Sequence, residues 1–558
     1  MRNWAWVALG CALAAALPSS SLHAQGPRAA LTGTVGSAGE ARMEGVLVSA
    51  KAAQSPITIT VVTNRDGRYE FPAARLPPGD YALSIRAVGY ELTAPVTATV
   101  KPLKATVADL KLAKTKDLAA QLSNAEWIAS VPGTDAQKAS LLGCVGCHTL
   151  QRPIYSTHTA EEFVDVLRRM AGYAQVSQPD HPQRKPYAPG ANAPAERFKA
   201  HAEWLASINL SKSETWKYPL KTFARPTGRA TRVIVTEYDL PRHEIQPHDV
   251  IVDAKGTVWY SNFSDEILGS LDPNTGKVTE YKLPVRKPDA PEGSLALRSD
   301  ADGNLWLGMM FQGAVARFDP KTKQLKVWDL PADRNDDGTQ INMVSPERAK
   351  VDGKVWLQDT GKLEAVHRLD LASGTFQTFQ PFKDAPPDAP FPAKAPHVLY
   401  DAVPDSHNNV YFTDLLGQEI GRIDAKTGQV KFWATPTPNS NTRRGSMDAQ
   451  DRFWFGEHRG NRIAMFDPQT EKIQEWESPI PYSAPYDVAV DKTGAAWSGG
   501  MTSDRVLRLD PKTGEMVAYL LPRETNIRRV FVDDRAGRPA FWAGSNHGAS
   551  IVKVEALD

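Results

Sequence analysis

Gly256-Thr257-Val258-Trp259-Tyr260-Ser261 is one copy of a strand that recurs throughout the C-terminal part of the chain. Each copy is centred on an aromatic residue, and successive aromatics lie 47, 50, 55, 43, 43 and 45 residues apart. The aligned aromatics are Trp259, Trp306, Trp356, Tyr411, Trp454, Trp497 and Trp542. This interval is the length of one four-stranded blade, so seven copies predict a seven-bladed β-propeller over residues 231–554.

A second repeated element follows most of these aromatics at a similar distance. It has the form Leu-Asp-Pro-Asn-Thr-Gly in its first copy, at residues 271–276, and recurs at 318–323, 423–428, 466–471 and 509–514. Where present, proline presets the first turn dihedral and glycine permits a left-handed one, so these segments are predicted to be hairpin turns. Their equal phase supports the blade assignment.

The blade strands resemble those of the virginiamycin B lyase (streptogramin lyase) family. The resemblance rests on residues 256–261, on Gly421-Arg422-Ile423-Asp424, and on Phe453-Trp454-Phe455-Gly456-Glu457 with Gly460-Asn461-Arg462-Ile463. It implies a propeller whose axial end opens a cyclic peptide lactone by elimination. It further implies a histidine base and a metal held partly by a glutamate.

The residues that this activity needs are divided between two blades. Glu457 follows Trp454 by three residues, as the family pattern requires, but Arg443 stands where the histidine is expected. In the first blade His248 is in the histidine position, and Asn262 is in the glutamate position. His248, Glu457 and Arg443 are therefore the candidate catalytic residues, with a divalent cation possible in the propeller. Because the histidine and the glutamate stand in different blades, lyase chemistry is the less favoured interpretation.

The positions three residues beyond each blade aromatic are predicted to gather at the channel mouth. They are Asn262, Met309, Asp359, Asp414, Glu457, Gly500 and Ser545, joined by His248, Tyr400, Arg443, Tyr486 and Arg529 from preceding turns. This set is polar and carries both signs of charge, which suits a polar small molecule or a cation. The alternative is that these residues only hydrate a closed channel, because a fold does not fix a function.

Ahead of the propeller stands Cys144-Val145-Gly146-Cys147-His148, the pattern of covalent haem c attachment. In this interpretation Cys144 and Cys147 form thioethers with one haem, and His148 is the proximal iron ligand. Three alternatives are weaker. A dithiol redox motif does not need the histidine, a zinc site needs further donors, and a disulfide across this spacing is strained.

Residues 116–223 are predicted to form an α-helical c-type cytochrome domain around this motif. Segments 161–170 and 195–208 have the apolar periodicity of amphipathic helices, and the proline-rich residues 179–194 are predicted to form a loop near the cofactor. Met170 ends the first helix and is the candidate distal iron ligand. His158, His181 and His201 are substitutes, and a core-filling role for Met170 is the alternative.

Residues 28–114 alternate apolar and polar positions between turn sequences, which predicts a small β-sandwich. Residues 63–71, 76–81 and 87–90 resemble the carboxypeptidase regulatory-like, transthyretin-like domain. The resemblance implies no catalysis, and we expect a structural role. The fold class is therefore mainly β and multidomain, with a sandwich, a helical cytochrome domain and a propeller.

The N-terminus predicts export. Arg2, an apolar run and Leu22-His23-Ala24 form a signal peptide over residues 1–24, which is too short to span a membrane. Removing it, and Cys11 with it, leaves only Cys144 and Cys147. The formal net charge of +1 argues against nucleic-acid or membrane-surface binding. We expect a periplasmic protein with no transmembrane segment.

Two hypotheses follow. In the first, the chain is a periplasmic oxidoreductase or redox partner: its haem transfers electrons to a periplasmic partner, and its propeller binds a polar substrate or partner. Tethering haem and propeller would raise their local concentration. In the alternative, the propeller is a lyase-like carbon–oxygen lyase or a non-catalytic binding module, and the cytochrome is an appended carrier.

Overall fold

The computed structural model describes residue 1 and residues 29–186, 188–213, 215–392 and 394–558. The predicted signal peptide, apart from Met1, lies outside the described residues. Within these ranges, no helix combines the length and apolar character needed to cross a membrane.

The N-terminal unit is built from nine strands in two sheets. They are β1 Ala29–Ser37, β2 Leu47–Ala52, β3 Ile57–Val62, β4 Arg68–Pro72, β5 Gly79–Arg86, β6 Tyr90–Leu92, β7 Val96–Val100, β8 Thr106–Val107 and β9 Leu110–Lys114. One sheet has the order β4-β1-β9-β6, with β8 beside β1, and the other contains β3-β2-β5-β7. Buried alternating residues such as Val48, Tyr69 and Leu83 fill the space between them. The predicted sandwich is present.

The described ranges contain six α-helices in addition to short 3₁₀ segments. They are α1 Asn124–Ser130, α2 Asp135–Cys144, α3 Gln151–Ile154, α4 Ala160–Ala171, α5 Glu196–Ile208 and α6 Ala349–Asp352. The first five belong to one segment, here called the helical cap (residues 119–213). Thr159 and Glu162 form a reciprocal capping box at the start of α4, which explains why the helix begins there. The helices predicted over 161–170 and 195–208 are therefore confirmed.

The C-terminal unit consists of seven four-stranded antiparallel sheets. Six of them run in chain order: β11 Pro247–Val252, β12 Val258–Asn262, β13 Ile267–Leu271, β14 Val278–Lys282; β15 Ser294–Ser299, β16 Leu305–Met309, β17 Ala314–Phe318, β18 Leu325–Asp329; β19 Ile341–Ser345, β20 Lys354–Asp359, β21 Ala365–Asp370, β22 Phe376–Phe379; β23 Leu399–Pro404, β24 Val410–Asp414, β25 Glu419–Ile423, β26 Val430–Ala434; β27 Thr442–Met447, β28 Phe453–Glu457, β29 Arg462–Asp467, β30 Lys472–Glu477; and β31 Pro485–Val490, β32 Ala496–Gly500, β33 Arg505–Leu509, β34 Met516–Leu520. The seventh combines β35 Val530–Asp533, β36 Ala540–Ser545 and β37 Ser550–Ala556 with β10 Val233–Asp239. Each predicted aromatic lies on the second strand of its blade.

The ring of blades is closed by its first and last strands. β10, the first strand of the C-terminal unit, pairs with β37, the last.

Repeated local bonds explain the periodicity of the sequence. In four blades an aspartate six residues before the tryptophan accepts its indole N–H, as Asp253 does from Trp259 at 2.9 Å. In the outer hairpin, the Gly276 amide donates to the Asp272 carbonyl at 2.8 Å, and Gly276 has a φ of +73°. That left-handed conformation favours glycine at the turn.

The sandwich and the propeller share a sheet. Strand β3 pairs antiparallel with β10, which extends the seventh blade into the order β35-β36-β37-β10-β3-β2-β5-β7. A buried ion pair reinforces the junction, with Arg86 Nη2 2.6 Å from Asp504 Oδ2. The sandwich is therefore joined to the propeller by backbone hydrogen bonds.

The propeller axis is closed by buried ion pairs between blades. Arg444 makes two bonds to Asp249, at 2.6 and 2.8 Å, and both side chains are fully buried. Arg298 bonds Asp401 at 2.9 Å in the same interior. Because a buried charge is stable only with a close partner, these pairs hold the blades together in a fixed arrangement.

The substitution Arg444→Ala tests this role. It leaves the Asp249 carboxylate buried without its cation, so we expect the free energy of unfolding to fall by about 3–5 kcal/mol. Urea unfolding followed by tryptophan fluorescence measures the change. Lys350→Ala, which removes the exposed pair with Asp302, is the control and should leave the midpoint unchanged. Equal midpoints for the two variants would contradict the assigned role.

Candidate functional site

A cavity of about 460 Å³ opens in the helical cap beside the Cys-x-x-Cys-His sequence. Helix α2 ends at Cys144, and the amides of Cys147 and His148 both donate to the Cys144 carbonyl, at 3.3 and 3.4 Å. This tight helical turn is the geometry expected from the sequence. It brings Cys144, Cys147 and His148 to the lining of one cavity, whose size falls within the range of about 300–1,000 Å³ for cofactor sites.

His148 is held in the orientation that an iron ligand needs. Its Nδ1 lies 2.8 Å from the Thr149 carbonyl oxygen, so Nδ1 donates and Nε2 keeps its lone pair. Burial lowers the pKa of His148, which favours the neutral imidazole. Both effects suit metal ligation through Nε2.

Three of the predicted distal-ligand candidates line the same cavity. Met170 comes from the end of α4, His201 from α5, and His158 from the loop before α4, whereas His181 is not among the lining residues. Met170 is 36% exposed, so the expectation that it faces inward from an apolar helix surface needs correction. It lies at the C-terminal end of α4, where the cavity opens. The remaining walls are largely apolar, with Phe163, Val166, Leu167 and Leu205.

The two cysteine thiols lie in surroundings that raise their pKa. Both are free thiols. Burial, with the neighbouring Cys147 second, raises the pKa of Cys144 to about 11, and burial also raises that of Cys147. Dithiol redox motifs rely on a lowered thiol pKa, so this environment disfavours that alternative. Among the described residues, the one group of three or more clustered metal donors lies in the propeller.

The Cys-x-x-Cys-His turn is seated on the propeller. Asn526 Nδ2 donates to the Val145 carbonyl at 3.0 Å, and the Arg528 guanidinium donates to the Gly146 carbonyl. Elsewhere the Ala125 amide donates to the Thr502 carbonyl at 2.8 Å. The helical cap therefore covers the axial end of the propeller at which the lyase-type residues were expected.

His248 is buried beneath this cap. Its side chain has no exposed surface, its Nδ1 lies 2.7 Å from Asp249 Oδ1, and its Nε2 has no partner. Its ring packs 4.6 Å from that of Phe263. Burial lowers the pKa of His248 to about 3, so the ring is neutral at physiological pH. The neutral state suits a base. The sequence predicts His248 at the channel mouth, and in the structure its side chain has no exposed surface.

Glu457 and Arg443 are not bonded to His248 in the described residues. Burial, with the neighbouring Glu475 second, raises the pKa of Glu457 to about 9, which favours its protonated form in the metal-free chain. Arg443 instead lies over the ring of Tyr486, at 5.3 Å. No hydrogen bond or ion pair joins the three predicted catalytic residues within the described part of the chain.

The sequence analysis missed the grouping of His397, Asp414 and Glu419 in the fourth blade. Each offers a ligand atom within 4.8 Å of the others. Asp414 was predicted to lie at the channel mouth, but nothing in the spacing linked it to His397. One feature of the sequence pointed to this region. The interval between the blade aromatics Trp356 and Tyr411 is 55 residues, the longest of the six, which shows that extra residues are inserted there.

Two family models match parts of this chain. The Virginiamycin B lyase family matches residues 393–557, and the Carboxypeptidase regulatory-like domain matches residues 30–113. These matches support a lyase-like propeller and a regulatory-like N-terminal domain. Neither covers residues 116–223. No curated protein matches the chain.

Solved structures resemble the propeller at low identity. Virginiamycin B lyase from Staphylococcus aureus is 20% identical, with a TM-score of 0.47, and the match covers 58% of this chain and 99% of that one. A streptogramin B lyase is also 20% identical, with a TM-score of 0.48, covering 59% and 99%. The extracellular domain of a putative one-component system from B. thetaiotaomicron is 15% identical, with a TM-score of 0.42, covering 55% and 40%.

The raised pKa of Cys144 predicts slow alkylation of the haem-free chain. With a pKa of about 11 rather than 9.0, the thiolate population at pH 8 falls by about a hundredfold, and the rate with iodoacetamide should fall accordingly. Mass spectrometry of the Cys144 peptide as a function of pH measures this rate, with glutathione as the reference thiol. A rate equal to or above that of glutathione would favour the dithiol alternative instead.

Proposed function

We propose that this chain is an exported haem c protein that transfers electrons, with the propeller as the base on which its haem-binding turn is mounted. The observation that carries the proposal is the single cavity lined by Cys144, Cys147, His148 and Met170. Cys144, Cys147 and His148 share the cavity because they are neighbours in the sequence. Met170 is not their neighbour in the sequence, yet it lines the same cavity from the end of α4, which is independent support.

Within this proposal each lining residue has a defined role. Cys144 and Cys147 would hold the porphyrin edge by thioether bonds, and His148 would bind the iron through Nε2, with its ring fixed by the Thr149 carbonyl. Met170 is the proposed second iron ligand. Bound haem would supply one-electron chemistry at iron. Apolar lining residues such as Phe163 and Leu205 would limit the water around it and, together with a methionine ligand, would raise its reduction potential.

The rim of the cavity suggests how a partner is recognised. Arg152 and Arg169 line the cavity and are exposed. Cations at the mouth favour approach by an acidic surface and raise the association rate with it. A periplasmic electron-transfer partner with acidic residues around its own redox centre is therefore the proposed partner. A polar substrate at the propeller would first have to pass the helical cap.

Covalent attachment is tested by the mass of the exported protein. We expect the mature chain, without residues 1–24, to carry the added mass of one haem. Cys144→Ala/Cys147→Ala should carry none, and the exposed-site variant His243→Gln should carry a full complement. A mature wild-type chain with the mass of the polypeptide alone would contradict the proposal.

The sixth ligand is tested by Met170→Ala. Methionine ligation raises the reduction potential relative to ligation by two histidines, so its loss should lower the midpoint potential and remove the charge-transfer band of methionine-ligated ferric haem. Met447→Ala, a partly buried propeller site, is the matched control, and His201→Ala tests the substitute. A spectrum changed by His201→Ala but not by Met170→Ala would assign the ligand to His201.

A carbon–oxygen lyase activity of the propeller is the second candidate, supported by the family match over residues 393–557. The family match bears directly on this candidate, whereas neither family model covers residues 116–223. A lyase mechanism would have to bring its substrate to the buried His248 and work with a Glu457 whose pKa burial raises to about 9. Incubation with a cyclic peptide lactone and Mg²⁺, followed by mass spectrometry, separates the two. We expect no ring opening. Turnover that His248→Ala abolishes would establish the lyase function.

A further inference from the structure

The connection between the third and fourth blades, from Phe379 to Leu399, is the longest between consecutive blades. It ends next to three side chains that offer metal-ligand atoms within 4.8 Å of one another. We call His397, Asp414 and Glu419 the blade-four cluster. Asp414 ends β24 and Glu419 begins β25, so two of the three donors are fixed by adjacent strands of one blade.

His397 is held rigidly against this pair. The ring of Phe382 stacks on its imidazole at 4.3 Å with an interplanar angle of 4°, and Phe391 packs edge-on at 4.4 Å. Its Nδ1 lies 2.5 Å from Asp414 Oδ2, and its side chain is only 9% exposed with Nε2 lacking any partner. Both phenylalanines come from the inserted connection. The insertion therefore orients one imidazole toward a buried carboxylate.

The space beside the carboxylates is kept free by glycine. A Cβ placed on Gly417 would lie 2.3 Å from both Asp414 Oδ2 and Glu419 Oε2. Any side chain at this position would displace the two oxygens. The backbone also orients Asp414, whose Oδ1 accepts the amides of Val398 and Leu416 at 3.0 and 3.1 Å. The other carboxylate oxygen, Asp414 Oδ2, faces His397 and Glu419.

Three carboxyl groups meet at the blade-four cluster. Glu364 and Glu419 each lie close enough to the Asp414 carboxylate to interact with it, and His397 pairs with Asp414. Asp414 and Glu419 are both buried. Buried carboxylates this close together repel one another, and a bound cation would relieve that repulsion.

We propose that the blade-four cluster binds one zinc-class divalent cation through His397, Asp414 and Glu419. One imidazole with two carboxylates is a donor set that suits zinc better than the all-oxygen sites of calcium or magnesium. Glu364 or water would complete the coordination. The ion would replace the proton now shared by His397 and Asp414, and it would tie the inserted connection to the fourth blade. This site is separate from Glu457 and from the haem-binding turn.

Equilibrium dialysis with Zn²⁺ after removal of metals by EDTA tests the proposal on the full-length mature chain. We expect one zinc per chain and a rise in melting temperature on binding. His397→Gln and Glu419→Gln should each weaken binding at least about tenfold. Both replacements are uncharged, so the metal-free variants are expected to remain folded, and circular dichroism checks this.

Two controls separate this site from others. Glu457→Gln changes the equivalent position of the next blade, and Cys144→Ala/Cys147→Ala removes thiols that would take zinc in any chain lacking haem. Both should retain one zinc. Three results would overturn the proposal. The first is zinc binding that is lost only in the thiol variant. The second is binding that is lost in Glu457→Gln but kept in His397→Gln, and the third is a wild-type chain that binds no stoichiometric zinc.

Discussion

Two hydrogen bonds from the connection between the sixth and seventh blades hold the Cys-x-x-Cys-His turn, and with it the helical cap, against the propeller. Asn526 and Arg528 donate to the carbonyls of Val145 and Gly146, the two residues between the cysteines. Arg528 is itself 5% exposed and packs over the ring of Phe263. Because these donors lie just before β35 of the seventh blade, the turn is positioned by the propeller as well as by its own helices. The helical cap and the propeller therefore act as one unit.

The same contact changes what the propeller is able to do. The axial end of such a ring is where a ligand is expected, yet here His248 and its neighbours are covered by the cap. The ion pairs between Arg444 and Asp249, and between Arg298 and Asp401, fill the interior beneath them. Buried charges held in pairs resist rearrangement. The propeller is therefore a closed base on which the helical cap is held in place.

Much of the architecture could be predicted from the sequence, because it follows from local rules. The interval between blade aromatics gives seven sheets, the apolar periodicity gives α4 and α5, and the alternation in residues 28–114 gives the sandwich. The contacts between units could not be predicted in this way. The pairing of β3 with β10 and the seating of the turn on Arg528 join residues far apart in the chain, and the approach of His397 to Asp414 depends on how an irregular connection folds. No periodicity encodes such contacts.

The most direct measurement is a crystal structure of the exported protein with iron located by anomalous scattering. We expect one iron atom in the cavity, bonded to His148, with the carbonyls of Val145 and Gly146 still accepting from Asn526 and Arg528. A structure with no iron at His148, or with the helical cap detached from the axial end of the propeller, would contradict it.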